Sequence, residues 1–385
     1  MFASRTNWDL KPNRLSTVLA HHKSSGRKLL DLTASNPTEC GFQYDSASIM
    51  RALCNPASLQ YHPDSRGLKT ARQAVSNYYA ARGTQIAADD LLLTVSTSEA
   101  YSFVFRLLCN AGDELLIPTP SYPLFDFLAD ANDVKLARYP LFYDHGWHID
   151  LHALEQAITP RTRGIIVVHP NNPTGHYTKP NETAALNSIC SANKMAIIAD
   201  EVFLDFSLTS AAQPSFAANS AVLTFIMSGI SKISGLPQMK FAWLAVNGPE
   251  DLKREALTRL ELLADTYLSM NAPIQHAATV LLQQRTAFQQ QLMTRVRRNL
   301  AALDSQLSGQ NHLSRLEVEG GWYAVLRVPA TRADEELAIE LLERHDVYVH
   351  PGHFYDFPGD GYLVLSLITP EEDFAEGFRR ILAAV

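Results

Sequence analysis

Apolar runs and helical periodicities alternate along most of this chain. Leu29 to Thr33 reads as a short strand. From Leu68 to Arg82 the apolar positions return at helical spacing, with Leu68, Ala71, Val75 and Tyr78-Tyr79 on one face. The order then runs strand Asp90 to Val95, helix Ser98 to Cys109, strand Glu114 to Pro118 and helix Tyr122 to Ala131. It continues with strand Arg163 to His169, helix Pro180 to Asn193 and strand Met195 to Ala199. Strands at Val222 to Met227 and Phe241 to Asn247 follow with no room for a full helix between them, which predicts a hairpin. Near-continuous apolar strands separated by helices predict a mostly parallel sheet buried on both faces.

The pattern changes after a helix-rich stretch, Glu250 to Leu307, interrupted near Ser269 to Pro273. Leu316 to Glu319 reads as a strand, Gly320-Gly321 as a bend and Trp322 to Val328 as a second strand. A helix from Asp334 to Arg344, strands at Val347 to His350 and Tyr362 to Leu367, and a closing helix from Glu371 to Ala384 complete a compact α/β unit. The residues before about 30 are polar and read as an irregular arm. The expected organisation is therefore an arm that joins the small domain (1–45), a large α/β domain (46–285) and a smaller α/β domain (286–385).

Composition narrows the function classes. With 46% hydrophobic and 19% charged residues the chain is ordinary globular protein. A net charge of -7 and the lack of a basic run argue against a nucleic-acid partner. No apolar stretch approaches the roughly 20 residues that span a bilayer, and Met1 to Trp8 has no signal-peptide core. Cys40, Cys54, Cys109 and Cys190 have neither metal nor disulfide spacing. A cytoplasmic protein without a metal centre is the expectation.

Three loops carry the chemistry. Each closes an apolar strand: Asn171-Asn172-Pro173-Thr174-Gly175, Asp200-Glu201-Val202-Phe203 and Ser228-Gly229-Ile230-Ser231-Lys232. Singly, each reads as a turn, a helix cap or a solvated lysine. In a parallel sheet, however, such loops gather at one edge, where open α/β folds bind ligands. A buried lysine loses its proton more easily and can attack a carbonyl. An amine, a carboxylate and an amide together suit pyridoxal 5'-phosphate: a Schiff base to Lys232, Asp200 on the pyridinium nitrogen and Asn172 on the ring oxygen.

In these motifs the chain resembles the fold-type-I pyridoxal-phosphate enzymes of the class I/II aminotransferase family, from about Asp31 to the C-terminus. The resemblance implies an aspartate aminotransferase-like fold and a transaminase moving an amino group from an amino acid or amine to a keto or aldehyde acceptor. It assigns Lys232 to the Schiff base, Asp200 to the pyridinium and Asn172 to the ring oxygen. Tyr122, in Pro120-Ser121-Tyr122-Pro123, matches the ring-stacking aromatic. Ser96-Thr97-Ser98 falls at the phosphate, where a helix N-terminus favours an anion. Glu99 in the same turn is expected to point away. Tyr61 matches a tyrosine that reaches the phosphate from a neighbouring subunit, which implies a homodimer.

Four positions depart from the family pattern. Lys240 stands for an arginine at the phosphate and lacks its bidentate fork. Gly229 replaces a serine in the same cup. Phe203 replaces a tyrosine that donates to the ring oxygen, and losing that donor predicts a more basic Schiff base. Val364, in Gly361-Tyr362-Leu363-Val364-Leu365-Ser366, replaces the arginine that clamps a substrate carboxylate. Arg14, Lys11 and Arg66 are the candidate substitutes, and His353 reads as a surface-loop residue. The missing clamp keeps a second chemistry open: a decarboxylase, lyase or oxidase using the same cofactor.

Overall fold

The computed structural model describes residues 1–210, 213–309 and 311–385. Its centre is an eight-stranded sheet in the spatial order Leu91–Thr94, Ala242–Asn247, Thr224–Gly229, Ala196–Asp200, Thr162–Val168, Glu114–Thr119, Lys135–Tyr143, Trp147–Ile149. Only Ala242–Asn247 and Trp147–Ile149 run against the others. The middle strands are buried along their whole length, as expected for a parallel sheet covered by helices on both faces. The predicted hairpin is present, with Thr224–Gly229 antiparallel to Ala242–Asn247. Its connection holds an α-helical turn, Ile230–Ile233, which carries Lys232, and a 3-10 turn, Pro237–Met239.

A four-stranded antiparallel sheet, ordered Ser314–Arg315, Tyr323–Arg327, Tyr362–Ser366, His350–Pro351, forms a second layer. The helices Arg285–Leu307, Asp334–His345 and Glu371–Ala384 accompany it. The mixed α/β fold expected from the hydrophobic pattern is thus present.

Several local expectations are corrected. The arm contains a helix, Arg14–Ser24, capped by Asn13, whose Oδ1 accepts from Ser16 N at 2.7 Å. Leu15 is buried, and His22 Nε2 lies 2.8 Å from Asp346 Oδ1 beside the helix Asp334–His345. Leu316 to Glu319 is not a strand. After Leu316 N bonds Val325 O, the chain leaves the small sheet, and its backbone pairs instead with the loop after Asp200. There Leu208 N donates to Glu319 O (2.8 Å) and Gly321 N to Phe206 O (2.9 Å). The helix expected from Tyr122 begins at Phe125, since Pro123 biases Tyr122 towards extended backbone. Val347 to His350 divides: Val347–Tyr348 pairs with Leu30–Asp31, and His350–Pro351 pairs with Leu363-Val364. Lys135–Tyr143, Trp147–Ile149 and the helix Leu151–Gln156 fill a segment the hydrophobic pattern left unassigned.

Gly175 lets the loop after Thr162–Val168 lie against the segment joining the two sheets. Its φ is +73°, and an added Cβ would stand 2.4 Å from Val318 Cγ2 and 2.7 Å from Gly320 O. Gly175→Ala is expected to cost about 2–4 kcal/mol, from left-handed backbone and overpacking together. Gly26→Ala, at the same φ but with nothing within 4 Å, should cost only about 1 kcal/mol. Urea midpoints of the two variants measure the difference. Equal losses would mean that the contact with Val318 and Gly320 does not constrain the loop.

Candidate active site

The six strands that run parallel to one another deliver their following residues to one edge. Asp200 is the last residue of its strand, and the adjacent strand Thr224–Gly229 leads into Lys232. The lysine turn is fastened from behind: Gln289 Nε2 donates to Ile233 O at 2.9 Å and Tyr44 Oη to Gly235 O at 2.8 Å. Gly235 has no room for a side chain, because a Cβ would stand 2.4 Å from the Phe288 ring.

Lys232 Nζ lies 5.1 Å from the centre of the Trp322 ring and 5.7 Å from that of Phe203. Burial pulls the amine down from 10.5 to about 8, and the nearby Asp200 charge opposes that fall. Asp200 is pushed the other way. Burial raises its carboxyl to about 6, against three groups that favour the ionised form: Val202 N, the Tyr101 hydroxyl and Lys232. Val202 N donates to Oδ1 at 3.1 Å, and Tyr101 Oη to Oδ2 at 3.0 Å. Its neighbour Glu201 is also buried but turns away, accepting from Ser215 Oγ and Phe216 N, both at 2.6 Å. That arrangement gives Glu201 a structural task.

The other predicted residues are placed as follows. Asn172 is buried, and among the described residues its side-chain oxygen has no hydrogen-bond partner. Tyr122 is 42% exposed and stands perpendicular to Phe125, with ring centres 6.3 Å apart. Ser96 caps the helix Thr97–Leu108 through Oγ, which accepts from Glu99 N at 3.2 Å. Thr97 and Ser98 form the first turn. The Glu99 carboxylate folds back to accept from Val95 N and Ser269 Oγ, both at 2.9 Å. Lys240 is exposed with φ +51°. Phe203 is buried, edge-on to Trp322 at 4.8 Å. Tyr61 is 80% exposed and lines a cavity of about 220 Å³ with Gly67, Ser269 and Gln275. Gly229 has a steric cause: a Cβ there would meet the Ala242 Cβ at 2.9 Å and Phe241 O at 3.0 Å, so a serine does not fit.

Val364 is 1% exposed and sits between Val325 and His350 in the small sheet. Of the expected substitutes, Arg66 is tied to Glu261, and Lys11 and Arg14 are exposed. His353 is exposed, as expected. The sequence did not single out His350, which is half-buried with Nδ1 3.0 Å from Tyr355 Oη. Burial drops the His350 imidazole to about 4, so it is neutral at physiological pH. Tyr355 abuts the Tyr122 loop, since Ser121 N donates to Tyr355 O at 2.9 Å. Tyr101 and Trp322 were missed too. Both looked like core aromatics, and only the strand order brings them to Asp200 and Lys232.

These residues fit pyridoxal phosphate. A depressed lysine and a buried carboxylate follow adjacent strands, the next loop carries a buried amide whose oxygen is unpaired among the described residues, and a half-open aromatic flanks them. Among the described residues no cluster could hold a metal ion, and no helix is long and apolar enough to cross a membrane.

Comparison with known proteins agrees with this geometry. The family model for aminotransferase class I and II matches residues 28–380. A glutamate-pyruvate aminotransferase, AlaA, of Escherichia coli K12 is 32% identical over 257 residues, which cover 66% of this chain and 64% of that relative. An alanine aminotransferase of Mycobacterium tuberculosis H37Rv is 27% identical over 373 residues, 94% of this chain and 86% of the relative. In three dimensions the chain matches the alanine aminotransferase from Pyrococcus furiosus with a TM-score of 0.89 at 23% identity, covering 99% of this chain and 98% of that one. At that identity the match speaks for the fold.

The opposed shifts of Lys232 and Asp200 generate a prediction. In cofactor-free protein, acylation of Lys232 should follow a midpoint near 8. Asp200→Asn removes the charge that favours the ammonium, so the midpoint falls further. A rise would contradict the pairing. Peptide mass spectrometry of pH-dependent labelling reads both. The sign for stability follows: Lys232 is depressed on folding, so its contribution is fully present above 10.5 and lost as pH falls through about 8.

Proposed function

The chain belongs to the class I and II aminotransferase family, and on that premise we propose that it is a transaminase moving an amino group between an amino donor and a keto or aldehyde acceptor. One observation carries this reading: a lysine and a carboxylate on adjacent strand ends, each shifted by burial towards its neutral form. Bound pyridoxal phosphate, the family's cofactor, supplies an aldehyde carbon and an electron-withdrawing ring.

The chain's own groups do the rest. Lys232 Nζ, with its proton affinity brought near neutrality, both takes and returns a proton at the reacting carbons. Asp200 would hold the ring nitrogen, Asn172 the ring oxygen, and Tyr122 would pack against the ring. The free N–H groups at Thr97 and Ser98, with Lys240, would hold the phosphate. Phe203 adds apolar wall and no donor. Tyr61, exposed on its own chain, serves the site of a second copy in a homodimer. A cytoplasmic setting accords with four free cysteines.

The names of the relatives favour an amino acid such as glutamate or alanine as donor. The substrate end of this chain is built differently, from Val364 and the neutral His350–Tyr355 pair. We infer that the donor's polar end is met by hydroxyls, with Tyr355 foremost. The same valine favours the second reading, a decarboxylase, lyase or oxidase.

The cofactor-loaded protein, mixed with L-glutamate, L-alanine or propylamine in the absence of acceptor, is expected to lose its visible absorbance and yield pyridoxamine phosphate with at least one of them. Lys232→Ala should slow that conversion by about 10²–10⁴-fold. Carbon dioxide release or oxygen uptake without pyridoxamine phosphate would select the second reading instead.

A further inference from the structure

Asp200 works only if it stays ionised in a place that favours its neutral acid. Stripped of water, a carboxylate needs hydrogen-bond donors to hold its charge, and each donor lowers its proton affinity. The backbone supplies one donor, Val202 N, to Oδ1. The other, on Oδ2, is the hydroxyl of Tyr101 at 3.0 Å. Tyr101 lies within the helix Thr97–Leu108, whose first turn opens at the same sheet edge. Its ring is buried and fixed by Phe125 and Phe105, with ring centres 5.3 and 5.8 Å away. Burial and the facing carboxylate keep its phenol well above the usual range, so it donates and does not ionise.

We propose that Tyr101 is a positioning residue for the reaction, holding Asp200 charged and aimed so that the proton they share stays on the cofactor's ring nitrogen. The inference rests on the role given to Asp200 above. A carboxylate that is less basic competes less well for that proton. The ring nitrogen therefore remains cationic and withdraws electrons from the reacting carbon. Without the phenol, Asp200 becomes the stronger base and the ring loses its charge. A tyrosine chosen only for packing would have no need of its hydroxyl here, because Phe105 and Phe125 already define the apolar cage. Tyr101→Phe keeps the ring and removes only the donor.

The test uses pyridoxal phosphate labelled with ¹⁵N in the ring, bound to wild type and to Tyr101→Phe, and read by ¹⁵N NMR. Wild type is expected to show a protonated ring nitrogen, and the variant a signal displaced towards unprotonated pyridine. Cofactor affinity should fall about 10–100-fold, the range for a hydrogen bond to a charged group. With the 1-deaza analogue, which has no ring nitrogen, that affinity difference should vanish, since Tyr101 acts through the Asp200–nitrogen contact. Identical ¹⁵N signals in the two proteins would overturn the proposal. So would an equal affinity loss with the deaza analogue, which would mark Tyr101 as packing alone. A wild-type ring nitrogen that is itself unprotonated would remove the role of Asp200, and this inference with it.

Discussion

Desolvation of one amine and one carboxylate is the constraint on which the site depends. Neither Lys232 nor Asp200 would be unusual in water. The parallel sheet ends both strands in apolar surroundings, with Trp322 and Phe203 around the amine and the helix Thr97–Leu108 behind the carboxylate. Their mutual attraction keeps each partly charged, and burial opposes it. The result is an amine near 8 and an acid near 6, so both can change protonation close to physiological pH. Trp322 comes from the small-sheet side and is seated by the Glu319–Gly321 segment. That segment is bonded to Phe206 and Leu208 and joined to the start of the helix Pro180–Asn193 by the Lys179–Glu319 ion pair.

Much of this was legible in the sequence, for a physical reason. Strands buried on both faces must be apolar throughout, so Thr162–Val168, Ala196–Asp200 and Thr224–Gly229 announce themselves. Their polar terminators Asn172, Asp200 and Lys232 are then conspicuous. Two helices, Pro180–Asn193 and Glu371–Ala384, have the same bounds in sequence and structure because proline or clustered acids mark their first turns. What stayed hidden has a cause as well. Lys135–Tyr143 is half exposed near the sheet edge and mixes lysine, arginine and proline into its pattern. Arg14–Ser24 buries only Leu15 and His22. The segment Leu316 to Glu319 alternates like a strand, yet it spends its backbone bonds on another loop.

Side chains that act through others were the least readable. Tyr101 looks like one more aromatic on a helix face until strand order sets it beside Asp200. His350 seems an ordinary strand residue until its pairing puts it opposite Val364. At that end the structure replaces a cation with a valine, a neutral imidazole and a phenol. A neutral surface of this kind offers a carboxylate less electrostatic attraction than a guanidinium would.

The central claim is that Lys232 is the residue that takes the cofactor's aldehyde. Borohydride reduction of the protein after addition of pyridoxal phosphate, followed by peptide mapping, tests it directly. A single stable phosphopyridoxyl group is expected on Lys232 and is lost in Lys232→Ala. Label on another lysine, such as Lys240, or no label in protein that remains folded, would contradict it.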